Sequence, residues 1–526
     1  MKFKNIYILI ISFMLLVFSG CTDGFEDLNT DKNNASEDAT NPVYQLTRAQ
    51  LEYSGNSDFS FEVWRVNIIY AGMMMQHLAS TSWYSGDKYQ QNNAFSSAYF
   101  DVAYNDQVKY VVDLIELTKD KPQYANLYQI GRIMRVMIFH RITDIYGDVP
   151  YSEAGLGYIG RKFTPSYDTQ EFIYLNMLEE LEQAAAALDL NGDRPGLNDL
   201  IYGAKPDVIS KWKKLAYSLM LRLSMRLTKV KEDIAKQYAE KAFAGGVFTS
   251  NEDNAYIVHD ATGGRNTVNR NSNILGGEWN ATDFGVTDPT KYKNEVFLSK
   301  TFIDYLKNNN DPRLQYTAVI KKTGSSNPAD QVGLPNGLDT NKGDTDVTSD
   351  PNYPGDLAGY STIRGDVFLS LTGPTFFITY AQTELLLAEA KQRGFAVGAE
   401  SAEQHYNNGV RAAMEQYAQY NSVATIPALT IQNYLTAHPY NGSYEQINTQ
   451  YWVASFMDWY ETWANWRRSG FPALVPVNYT GNATNGQIPR RMLYPATEAS
   501  VNAENYSRAL DRQGANNFMT RVWWDQ

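Results

Sequence analysis

The sequence predicts a mostly α-helical fold, helix pairs of tetratricopeptide-like build forming a scaffold, with a loop-rich ligand-binding face and little β structure. Three observations predict it. Apolar residues recur every three or four positions through several long segments. Breaks of Gly and Pro set these segments off as successive pairs, although no repeat is clean enough to align. Between them lies a stretch of well over 100 residues rich in Gly, Asn, Asp and Thr.

The helices justify themselves in chain order. In 124–146, Tyr124, Leu127, Ile130, Met134, Met137, Ile138 and Ile145 fall largely on one face. In 171–188, Phe172, Leu175, Leu178, Leu181, Ala185 and Leu188 do the same. A third helix, 208–228, opens after Pro206-Asp207, and a fourth, about 233–244, stops at Gly245-Gly246. Helices return at 374–393, 399–419 and 451–464. The expected organisation is a scaffold over about 40–245 and 374–470, a loop-rich region over about 246–373, and a Pro/Asn/Gly-rich segment 471–526 ending near Trp523-Trp524. Long loops on a helical scaffold are where binding residues concentrate. Two loop-like strings have structural explanations. Asp144-Ile145-Tyr146-Gly147-Asp148-Val149-Pro150 ends a helix at Gly before an X-Pro step. Asp311-Pro312-Arg313 reads as a turn with Arg313 free to pair with a carboxylate.

The N-terminus carries a different signal. Lys2 and Lys4 precede an uncharged apolar run, residues 6–20, shorter than the roughly 20 residues needed to span a bilayer. A basic start, an apolar middle and small residues Ser19 and Gly20 describe a signal peptide, residues 1–20. The next residue, Cys21, is the only cysteine of 526, and the junction resembles a bacterial lipobox, with Phe18 where an aliphatic residue is usual. The expectation is a single mature body, 21–526, lipidated on Cys21. Asp23, Glu26 and Asp27 close behind are consistent with surface export.

Composition narrows the partners. Residues 1–20 hold two lysines and no acid, so their removal takes the net charge from −12 to −14. An acidic chain without a basic stripe is a poor match for nucleic acid. A lone cysteine permits no internal disulfide. Five histidines (77, 140, 259, 405, 438) form no HExxH and no close pair, and neither GxSxG, a P-loop nor GxGxxG occurs. No catalytic residue, cofactor or metal is therefore expected. The run Asp339-Thr-Asn341-Lys-Gly343-Asp344-Thr-Asp346 resembles a calcium loop, but its Gly falls one place early and Asp350 stands where Glu would be bidentate, so it reads as a solvated acidic loop.

Aromatic residues are abundant: 37 Tyr, 23 Phe and 10 Trp. Most belong to packing, but sugar stacking requires a flat face beside hydrogen-bonding groups on an exposed loop. Residues 80–93 offer that mixture, with Trp83, Tyr84, Tyr89 and Asn92 as candidates. A second group is Trp279 and Asp283, with Glu278, Asn280 and Phe284 around them; a third is Arg364 with Tyr360.

Six segments carry a family resemblance: CTDGFEDLNTD at 21–31, RIMRVMIFHRITDIYGDVPYSEA at 132–154, SKTFIDYLKNNNDPRL at 299–314, ITYAQTELLLAEAKQRG at 378–394, EQHYNNGVRAAME at 403–415 and IPRRMLYPATE at 488–498. In this order they resemble the SusD/RagB family of outer-membrane nutrient-binding lipoproteins. The resemblance implies a tetratricopeptide-like scaffold with a loop-built ligand surface. It also implies a non-catalytic protein that captures a glycan, or in some members a peptide, for a SusC-like TonB-dependent outer-membrane barrel. A surface glycoside hydrolase is the remaining alternative. The family pattern favours the loop aromatics above without fixing which of them touch ligand.

Overall fold

The computed structural model of the chain describes residues 41–57, 61–279 and 296–526. Ten helices build the scaffold: α1 Val43–Tyr53, α2 Lys109–Thr118, α3 Ala125–Tyr146, α4 Gln170–Ala187, α5 Val208–Arg226, α6 Glu232–Gly245, α7 Tyr380–Gln392, α8 Ala402–Glu415, α9 Tyr444–Ala454 and α10 Trp459–Ser469. Neighbours in sequence pack on each other, α3 with α4, α5 with α6, α7 with α8 and α9 with α10, as helix-pair architecture requires. Among the described residues, strands are confined to four two-stranded antiparallel ribbons. The body is mostly α, and among the described residues no helix is long and apolar enough to cross a membrane.

Local chemistry sets the helix ends. Thr169 caps α4 by accepting from the Phe172 amide at 3.2 Å. Reciprocal capping boxes open α7 (Thr379 with Gln382) and α8 (Ser401 with Gln404). Gly147, at φ +87°, ends α3 in a geometry that costs other residues a steric clash. The Asp311-Pro312-Arg313 turn is closed by a buried ion pair, Arg313 Nη2 to Asp311 Oδ2 at 2.5 Å.

Two expected helices are revised. Residues 374–378 form a strand paired with Ala255–Val258, and α7 begins only at Tyr380. The expected helix at 451–464 is two helices, because Met457 turns to φ +78° and Asp458 caps a new start at Trp459.

Buried ion pairs tie the pairs together. Arg468 of α10 grips Glu389 of α7 with two bonds of 2.7 and 2.6 Å, and Asn448 of α9 joins both partners. Burial alone would push the Glu389 carboxyl up; the Arg468 and Arg393 charges together with the hydrogen bonds from Arg468 and Asn448 outweigh it and hold the group at about 2. Deeper in, Arg226 of α5 contacts Glu461 of α10 at 2.7 Å and Asp144 of α3 at 3.4 Å.

The region between α6 and α7 is loop-rich but carries a small core of Phe297, Leu334, Val347 and Tyr360, joined by Ala79 from the strand paired with Phe297–Leu298. A wide π-helical segment, Val63–Gly72, packs on α10 and carries scaffold position into this face. Such segments are rare and gather at functional sites.

Candidate functional site

The site grows from that π-helical segment. Trp64, half-buried, meets the exposed ring of Trp83 edge-on, with centroids 5.5 Å apart and planes at 78°. Trp83 also lies 4.4 Å from the Tyr84 ring and 6.1 Å from Phe95. The Arg65 guanidinium sits over Phe61 at 3.1 Å and near Phe95 at 4.9 Å. Trp83 remains 48% exposed while its neighbours are half-buried or buried, so it alone among these rings offers a broad face to solvent. Exposed Gln91, Asn92 and Asn93 follow in the same loop. An exposed indole backed by rings keeps its orientation at small entropic cost, which suits stacking on a flat apolar surface.

Polar anchors hold the loop. The backbone at Gly86 lies against the Ile69 carbonyl, where a Cβ would stand 1.6 Å from the oxygen. Asp87, buried, accepts from the Gly337 amide at 3.1 Å, and the buried Lys88 ammonium donates to the Ser80 carbonyl at 2.6 Å. The Tyr70 hydroxyl accepts from the Asn92 amide at 3.1 Å and donates to the Gln90 carbonyl at 3.2 Å. Trp83 is thus carried on a loop fixed at both ends.

The other expected residues fall out differently. Tyr84 is fully buried; its hydroxyl receives the Trp64 indole N–H, so it positions the aromatic cluster and offers no face. Tyr89, 1% exposed at φ +53°, accepts from the Val477 amide at 3.2 Å and pins the loop to the C-terminal segment. Asn92 is exposed, but its side-chain oxygen caps the short helix 93–96 through the Phe95 amide. Arg364 is spent on Asp366, at 3.0 and 2.9 Å, and on the Gln315 carbonyl at 2.8 Å. Tyr360 is buried in the small core with its hydroxyl on Asp350. Trp279 ends the helix Arg270–Trp279, but its side chain, and all of Asp283 and Phe284, lie outside the described residues.

Trp64, Arg65, Phe61 and Phe95 were not anticipated. The string Val63-Trp-Arg-Val-Asn-Ile-Ile-Tyr70 is apolar with a single charge and carries no binding signal of its own, and only the π-helical spacing and the loop packed on it bring Trp64 and Arg65 beside Trp83.

Two further groups bear on metal chemistry. Among the described residues, Glu384, Glu400 and His405 bring ligand atoms close, and His405 Nδ1 lies 2.7 Å from Glu384 and 3.5 Å from Glu400. In the acidic loop, Asp339 accepts from the Asn341 amide at 2.8 Å, the Thr345 hydroxyl at 3.0 Å and the Tyr479 hydroxyl at 2.7 Å. Its oxygens are turned inward on the loop's own donors and on Tyr479 of the C-terminal segment.

Comparison with known proteins follows the same lines. A SusD-like family model, described as starch-binding and associating with the outer membrane, matches residues 33–495. A solved structure described as a chitin-binding protein is 33% identical, with a TM-score of 0.78 over 92% of this chain and all of the other. A SusD-like protein of Bacteroidetes AC2a is 27% identical, with a TM-score of 0.76 over 93% of this chain and all of the other. A SusD homolog from Bacteroides uniformis, 23% identical with a TM-score of 0.73 over 93% of this chain and all of the other, shares the fold. No curated protein matches the chain.

Proposed function

The chain belongs to the SusD-like family, and from that premise we propose that it is a non-catalytic surface lipoprotein that captures oligosaccharides for a SusC-like TonB-dependent barrel in the outer membrane. The observation that carries this reading is the exposed, ring-backed indole of Trp83 on its anchored loop. A sugar ring stacks on such a face through its axial C–H groups, while its hydroxyls reach side-chain amides of the kind that Gln91 and Asn93 present nearby.

The relative at 33% identity is described as chitin-binding, which places chitooligosaccharides in the first panel of ligands. The test is calorimetric titration of a soluble form starting at Thr22 against chitooligosaccharides, plant and host glycans and mixed peptides. Chromatography of each ligand after prolonged incubation completes it. Saturable binding of a glycan recovered intact is the expected result. Shortened products would make the protein a surface hydrolase, and binding of peptides alone would make it a peptide-capture member of the family.

In this reading residues 1–20 are removed and the body 21–526 is held in the outer membrane by lipid on Cys21, facing outward. In a bacterial host that processes lipoproteins, the full chain is expected in the membrane fraction, and Cys21→Ser is expected to release it. A Cys21→Ser protein that stays with the membrane would overturn the lipid anchor.

A further inference from the structure

Among the described residues, Arg65 is a cation without an ion-pair partner, and it stands beside the Trp83 surface. Its guanidinium is packed over Phe61 at 3.1 Å, near Phe95 at 4.9 Å and Trp64 at 5.7 Å. Nε and Nη1 are buried without a hydrogen-bond partner, and among the described residues no carboxylate stands within ion-pair distance of Arg65. Every other arginine with a buried, unpartnered nitrogen keeps at least one hydrogen bond elsewhere on its guanidinium: Arg48, Arg222, Arg226, Arg313, Arg467 and Arg491. Arg65 alone in this group is held by rings only. Burial lowers its pKa from the usual arginine value, the direction expected of a charge that has lost water and gained no counter-ion.

The location matters as much as the missing partner. Phe95 touches both Arg65 and Trp83, and Trp64 does the same, so the unpaired charge and the exposed indole share two rings of one cluster. A ligand stacked on Trp83 lies within a sugar unit or two of the guanidinium. The chain as a whole is acidic, at −12, so it repels anions at long range and an anionic ligand needs a local cation to be held. Ring faces stabilise a guanidinium without neutralising it, and Nη2, the nitrogen of Arg65 that is not buried with Nε and Nη1, is left to meet an oxyanion.

We propose that Arg65 forms an anion subsite adjoining the Trp83 stacking face, and that the preferred ligand is an acidic oligosaccharide bearing a carboxylate on one of its sugar units. This rests on the reading of the Trp83 surface as the sugar site and names the class of sugar it takes.

The test pairs each acidic oligosaccharide with its own neutral methyl ester, which removes the charge while keeping the sugars and linkages. Oligogalacturonates and glucuronate-containing N-acetylglucosamine oligosaccharides are titrated as acid and as ester into the Thr22 form at low and moderate salt. At least one acid is expected to bind tenfold or more tightly than its ester, with the gap narrowing as salt rises. Arg65→Gln is expected to remove that gap, and Arg65→Lys, which keeps the charge, to retain part of it. A gap that persists in Arg65→Gln would overturn the assignment. Glycan binding that depends on Trp83 but shows no preference for acid over ester would overturn the subsite and leave the sugar-binding reading standing. Absence of any glycan binding by the folded protein would overturn both.

Discussion

Replacing Arg468 with methionine is expected to destabilise the body by about 3 kcal/mol, because it leaves the buried Glu389 carboxylate only the partly exposed Arg393, one turn along, and the Asn448 amide as partners. Both side chains are about 1% exposed, and their two bonds of 2.7 and 2.6 Å join α7 to α10. Asn448 and Asn465 are arranged around the pair: Asn465 donates to the Asn448 oxygen at 2.9 Å, and that oxygen accepts from Arg468 at 2.8 Å. Removing the guanidinium therefore costs three helices their shared partner. The measurement is the urea midpoint followed by far-ultraviolet circular dichroism. The double change Arg468→Met with Glu389→Met is expected to recover part of the loss, since replacing both charges leaves no buried ion. An unchanged midpoint in the single variant would contradict the structure. The pair also has a pH signature. Glu389 is held at about 2 against its ordinary 4.5, so its contribution is present above about 4.5 and is lost as pH falls toward 2. Arg468→Met is expected to lack that part of the acid transition.

Gly86→Ala is the second large effect, and it links stability to binding. The new Cβ would stand 1.6 Å from the Ile69 carbonyl oxygen and 2.6 Å from its carbon. Both are backbone atoms of the π-helical segment, so no side-chain rotation relieves the overlap and the loop must move away. Overpacking of this kind costs about 1–3 kcal/mol. The displaced loop is the one carrying Trp83, and the helix it leaves carries Trp64 and Arg65. Glycan affinity is expected to fall at least tenfold in protein that remains folded by circular dichroism. Gly157→Ala serves as the control: nothing stands within 4 Å of its added Cβ, and its effect on stability is expected within about 0.5 kcal/mol. A Gly86→Ala protein with unaltered midpoint and affinity would show that loop and helix are not packed as described.

The scaffold was largely legible because its helices are long and one-sided. Met134, Met137 and Ile138 in α3, and Leu178 and Leu181 in α4, announce a buried face by spacing alone, and all five are fully buried. The failures have local causes. Phe376, Phe377 and Ile378 run apolar straight into α7, and periodicity cannot separate a short buried strand from the first turn of a helix; pairing with Ala255–Val258 decides it. Met457 and Asp458 break the expected helix by backbone conformation, which apolar spacing does not report.

The site was legible in part for a related reason. Trp83 stands in a polar, aperiodic loop and is exposed, as that context suggests. Tyr84 and Tyr89 stand in the same context and are buried, because their hydroxyls find partners at Trp64 and at Val477 of the C-terminal segment. A tyrosine bonded to residues hundreds of positions away looks in sequence like one bonded to water. Arg65 was hidden by its apolar neighbours Val63, Trp64 and Val66, which carry no binding signal and leave its missing counter-ion invisible until the rings around it are placed.

Calorimetric titration of the Thr22 form and its Trp83→Ala variant, with whichever glycan the panel yields, decides whether sugar is held at Trp83. Saturable binding to the unaltered protein is expected, with at least a tenfold loss in Trp83→Ala, about 1.4 kcal/mol, in protein that remains folded by circular dichroism. Equal affinity in the two proteins would contradict sugar binding at Trp83 and place the sugar-binding surface elsewhere on the molecule.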